Sequence, residues 1–150
     1  MKTEDDAIED EELLLRRSLV EWVDLNLELP VSRVVFRPTE DDSTGISFFR
    51  EFFSTPAEVV ELAEKLGRRP RNDYCVIRMP VCSIRDNGMS INPDPIELLK
   101  GHALLPEIKS TLRRQSKKYQ VRLASWINQN LNQDSIYYCG PVAQPGNDSE

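Results

Sequence analysis

The densest chemistry in this sequence is electrostatic. Lys109, Arg113, Arg114, Lys117, Lys118 and Arg122 lie close together, with no Asp or Glu between Glu107 and Asp134. Cations spaced three and four residues apart share a helix face, so the run is either a solvated outer surface or a patch for phosphates or an acidic partner. These residues form the expected partner-binding set. Arg68, Arg69 and Arg71 would extend it if folding made the two groups neighbours.

Candidates for bond-making chemistry are sparse. The single histidine, His102, stands in Gly101-His102-Ala103. Acting as a general acid or base would require the fold to bring it a nucleophile or a carboxylate, which its sequence neighbours do not supply. Arg37 ends an apolar run and would hold a carboxylate such as Asp41 or Asp42, or an anionic ligand. Ser47 and Glu107 complete the weak catalytic set. No Walker loop, GxGxxG or GxSxG occurs, which weakens the common nucleotide-binding and hydrolase classes and leaves no cofactor expected. Cys75, Cys82 and Cys139 form no CxxC pair. They read as free thiols of a reducing cytoplasm, with no metal expected.

The elements that must position these groups follow from pattern. At 150 residues the chain is long enough for one self-sufficient domain, and its 39% hydrophobic and 29% charged composition lies near globular norms, which argues against disorder and membrane spanning alike. Its net charge of −6 comes entirely from residues 1–12, which hold seven acids and Lys2; the remainder is balanced. Residues 1–12 read as a disordered acidic tail, or as a segment folding back over a basic face; 13–140 as the domain; and 141–150 as a flexible C-terminal tail. The acidic start lacks the basic flank and apolar run of an export signal.

Thr55-Pro56-Ala57-Glu58 is a capping box with proline at the first helical position, and predicts a helix over 56–66 ended by Gly67. Tyr74–Met79 reads as a buried central strand. Val31–Arg37, rich in β-branched residues, reads as a strand, as does Ile46–Phe53. Extended structure is expected after Arg17, a short turn over Ser83–Asn87, and an edge strand over Ile136–Cys139. Ile108, Leu112, Tyr119, Leu123, Trp126 and Ile127 form a helical stripe, predicting a long helix from Pro106 to about Leu131 with the cations off the stripe. The fold class is therefore α+β: a mixed or antiparallel sheet of four to six strands packed against one long C-terminal helix and one short helix.

Phe36-Arg37-Pro38-Thr39 with Asp42, Gly45-Ile46-Ser47, and later Gly101-His102-Ala103 with Pro106-Glu107 resemble a diffuse group of small bacterial proteins. FRPT-like, GIS-like and GHA-like motifs recur there in this order. The resemblance covers roughly residues 14–108. It carries no assigned activity; it implies a bacterial cytoplasmic origin and an accessory role in a conflict or mobile-element system. The order Arg37, Ser47, Glu107 also resembles the scattered triad of ADP-ribosyltransferase-like folds. The leading expectation is a non-enzymatic protein-interaction or accessory module. The alternatives are a small enzyme acting on a nucleotide or nucleic acid, with Arg37 and His102 in one pocket, and a nucleic-acid binder using the basic helix.

Overall fold

The computed structural model describes residues 2–67 and 69–138. Six strands form one antiparallel sheet: β1 (Leu13–Leu19), β2 (Ile46–Arg50), β3 (Tyr74–Pro80), β4 (Asn92–Pro93), β5 (His102–Leu105) and β6 (Ile136–Tyr138). Their spatial order is β4-β5-β2-β1-β3-β6. Helix α1 spans Pro56–Leu66, the short α2 spans Val81–Arg85 and the long α3 spans Arg113–Gln129. This is the expected α+β class. Among the described residues, no helix is long and apolar enough to cross a membrane.

Strand alternation sorts the side chains into two cores. Leu14, Phe48, Ile77 and Met79 point to one face, where Leu123 and Ile127 of α3 and Ile84 of α2 join them. Leu15, Phe49 and Val76 point to the other, beneath Val59, Val60 and Ala63 of α1. Helix α1 keeps the predicted bounds. Thr55 Oγ1 accepts the Glu58 N–H at 3.2 Å, and the Glu58 carboxylate accepts the Thr55 N–H at 2.8 Å.

Four expectations are corrected. Residues 33–36, read as part of a strand, form a 3₁₀ turn in which Ser32 Oγ accepts the Val34 N–H. Both edges of β2 are taken by β1 and β5, and Val35 and Phe36 bury instead against α3's side of the sheet. The long helix begins at Arg113 rather than Pro106. Ser116 Oγ accepts the Lys109 N–H and donates to the Lys109 carbonyl, holding the approach to the helix in an irregular turn anchored by fully buried Ile108. Extended structure starts at Leu13, before Arg17, and gives way to a 3₁₀ turn at Val20–Trp22.

The fourth correction concerns the acidic start. The expected tail packs as a strap. Ile8 enters the first core, and Glu12 is buried against Arg50. Asp10 pairs with Arg85 at 2.6 Å, and Glu4 accepts the Gly101 N–H at 2.9 Å. The segment folds back as the alternative expectation held, but onto Arg50 and Arg85 rather than onto the basic helix. The expected 141–150 tail and Cys139 lie outside the described residues.

Candidate functional site

Helix α3 buries Ser116, Gln120, Leu123, Ala124 and Ile127, which leaves Arg113, Arg114, Lys117, Lys118 and Arg122 exposed. These cations do not form one patch. Lys118 and Arg122 lie over the Tyr119 ring, and Arg122 Nη1 donates to the Asn87 carbonyl at 3.2 Å. Arg113 and Lys117, four residues apart, look the other way, toward the 33–37 turn. Lys109 sits before the helix, half-buried, its N–H spent on Ser116.

The 33–37 turn is moored along α3 at two points. Asn128 exchanges both hydrogen bonds with the Val31 backbone, at 2.8 and 3.0 Å, and Arg33 Nη1 donates to Gln120 Oε1 at 3.0 Å. Beyond the second mooring the two elements part. They enclose a cleft of about 420 Å³ lined by the cations Arg33, Arg37, Arg113 and Lys117, the carboxylate Glu40, and the polar Thr39 and Gln120. None of these four cations forms an ion pair among the described residues. Asp42, an expected partner of Arg37, instead accepts from the Thr39 N–H at 2.7 Å and from its hydroxyl. The first turn of α3 carries no acid, and no side chain caps it. The helix dipole therefore adds positive potential where the cations gather.

The other predicted residues divide. His102 and Ser47 meet on the α1 face of the sheet, diagonal across β5 and β2, because Phe49 pairs with His102 and Ser47 with Leu104. Ser47 Oγ lies 2.8 Å from His102 Nε2. The other ring nitrogen, Nδ1, is 2.9 Å from the Asp94 carbonyl and 3.1 Å from its carboxylate. His102 is buried beside the Phe49 ring, and Ser47 is half-buried. Glu107 lies apart, its carboxylate accepting the N–H and hydroxyl of Ser90 at 3.0 and 2.8 Å. Arg37 is in the cleft beside α3. The grouping of Arg37, Ser47 and Glu107 expected for an ADP-ribosyltransferase-like site is absent, and Arg37 and His102 share no pocket.

Arg69 faces Glu21 and Asp73 rather than α3, so the loop does not extend the cleft; Arg68 lies outside the described residues. Among the described residues, no cluster of His, Cys, Asp and Glu could hold a metal ion. Sequence reasoning missed Arg33, hidden in the strand reading, and Asp94, in Asn92-Pro93-Asp94-Pro95. The proline-rich turn signalled a loop there, but nothing in its spacing tied it to His102.

Two further arginines are satisfied within the fold. Arg16 is held by the Val35 and Ser47 carbonyls at 3.0 Å each, and burial pulls its guanidinium down to about 10, so it stays cationic at neutral pH. Arg78 forms a two-pronged pair with Glu51 at 2.7 Å. No protein-family model, curated protein or solved structure matches this chain.

Proposed function

We propose that the protein is an interaction module that docks an acidic segment of a partner protein in the cleft between the 33–37 turn and α3. The observation that carries this reading is the convergence of Arg33, Arg37, Arg113 and Lys117 on one concavity where only Glu40 is acidic and none of the four is ion-paired among the described residues. Like charges held together, at the positive end of a helix, raise the energy of the free protein; an incoming anion relieves that repulsion as it binds. Arginine forks favour carboxylates, which take two parallel hydrogen bonds.

A protein partner is favoured over nucleic acid because no aromatic ring lines the cleft to stack a base. The same molecule already shows this mode of recognition at Arg50, which its own extended acidic segment satisfies with one carboxylate and two carbonyls. An accessory role in the bacterial cytoplasm is the setting that the motif resemblance suggests for such a module.

The test is fluorescence anisotropy with a labelled Glu-rich peptide and, in parallel, labelled single-stranded DNA. The peptide is expected to bind the wild type and to lose about 10-fold or more in affinity in Arg113→Glu/Lys117→Glu, with binding weakened by salt. No peptide binding, or equal binding by the variant, overturns the reading. DNA binding that depends steeply on salt, without peptide binding, replaces it with a nucleic-acid site.

A further inference from the structure

On the opposite face of the sheet from α3, a serine, a histidine and an aspartate form one continuous hydrogen-bonded line. The roles within it follow from the chemistry of each partner. The Asp94 carbonyl and ionised carboxylate can only accept, so the proton of the neutral His102 ring sits on Nδ1. Nε2 then presents a lone pair, and the Ser47 hydroxyl, 2.8 Å away, donates to it. This is the arrangement that activates a hydroxyl: a base poised to take the serine proton, and a carboxylate that fixes the base's tautomer and offsets the imidazolium charge.

The line is built on the sheet. Ser47 belongs to β2 and His102 to β5, adjacent antiparallel strands. The Asp94 N–H donates to the His102 carbonyl at 2.9 Å, so the backbone as well as the side chain of Asp94 holds the ring. Phe49 sets an edge-to-face contact at 5.3 Å against the imidazole. Ser47 is half-buried and the Asp94 side chain is 47% exposed, while the base between them is buried. We propose that Ser47, His102 and Asp94 form a hydrolytic centre in which Ser47 is the nucleophile toward small, activated carboxylic esters. The proposal does not depend on the docking cleft.

In this reaction Ser47 Oγ attacks the ester carbonyl carbon while its proton passes to His102 Nε2. The C–O bond to the alcohol breaks, and the departing oxygen takes that proton from Nε2. Water then attacks the acyl-serine by the same proton path, releasing the acid and restoring the hydroxyl. Ser47 and His102 are the catalytic residues; Asp94 is a positioning residue.

The test uses the full chain with an alkyl fluorophosphonate, which would form an O–P bond at Ser47 and release fluoride, read by mass spectrometry, and with p-nitrophenyl acetate turnover. The wild type is expected to carry the adduct on Ser47. Ser47→Ala abolishes it, and His102→Gln slows it about 10²-fold, the scale of general-base assistance. Asp94→Asn slows it about 10-fold and alters the pH profile without moving the thermal melting point, which a merely structural role would not do. If His102→Gln does not fold, Asp94→Asn decides. No adduct on wild-type Ser47, or a rate unchanged in the folded variants, overturns the proposal. Labelling is read on the chain without any peptide, so failure here and failure of the docking reading are told apart.

Discussion

Two cationic regions of this molecule have opposite fates. At Arg50 the guanidinium is completely buried, yet each of its nitrogens has a partner: Nε and Nη2 donate to the two oxygens of Glu12 at 2.9 and 2.8 Å, and Nη1 donates to the carbonyls of Glu4 and Asp6. In the cleft beside α3, Arg33, Arg37, Arg113 and Lys117 stand together with a single carboxylate, Glu40, among the lining residues and in an ion pair with none of them. A buried cation without its counter-ion would cost several kcal/mol, so the fold must fill that site itself. Exposed cations are screened by water and salt, and their repulsion is small enough to leave standing. The first region therefore reports on stability, and the second on what the protein can meet.

Breaking the filled region has the largest expected effect. Glu12→Gln leaves Arg50 buried without a charge partner and should lower stability by about 3 to 5 kcal/mol, seen as a drop in melting temperature on the order of 10 °C. A change below about 1 kcal/mol would mean that water or the Glu4 and Asp6 carbonyls suffice for Arg50.

Acid reads the same contact. Burial by itself would raise the Glu12 carboxyl, but Arg50, the Glu9 N–H and Lys2 outweigh it and hold the group at about 2, against 4.5 in the unfolded chain. A depressed carboxyl stabilises the fold above its unfolded value and loses that contribution as pH falls toward its folded one. Between pH 4.5 and about 2 the wild type should thus surrender about 3 kcal/mol from this group. Glu12→Gln should show a correspondingly flatter acid limb in urea titrations over that window.

The empty region should answer in the other sense. Arg113→Glu/Lys117→Glu, which removes the docking reading's affinity, should move stability by less than about 1 kcal/mol and in the stabilising direction, because acids replace cations in the first turns of α3. A large loss in urea would show that the cleft is structural. Smallest of all, Arg122→Ala should cost at most about 0.5 kcal/mol and leave peptide binding within about twofold, since this exposed residue is already engaged by Tyr119 and Asn87.

What was legible in the sequence was local. The α1 capping box is complete within four residues, and the near-continuous apolar run at Tyr74–Met79 forms the interior strand β3. What was not legible depends on partners distant along the chain. Val31–Arg37 has strand composition but no free strand edge beside it, so its apolar residues bury in a 3₁₀ turn. Strand β5 hid in the Gly101-His102-Ala103 segment because its pairing with β2 is set by register rather than by alternation. The six cations were read as one helical face, but the 33–37 turn and Tyr119 divide them. Ser47 and His102 were both named as candidates, yet nothing in their 55-residue separation foretold the 2.8 Å contact.

The strap also bears on how the chain folds during synthesis. Residues 4–12 leave the ribosome before the groups they engage, which lie far downstream: Arg50, Arg85 and Gly101. Until those emerge the segment has no partner, and its cluster of acids keeps it hydrated in the meantime. The contact with Gly101 must wait for the chain that leads into β5, so the strap cannot close completely until most of the sheet has been translated.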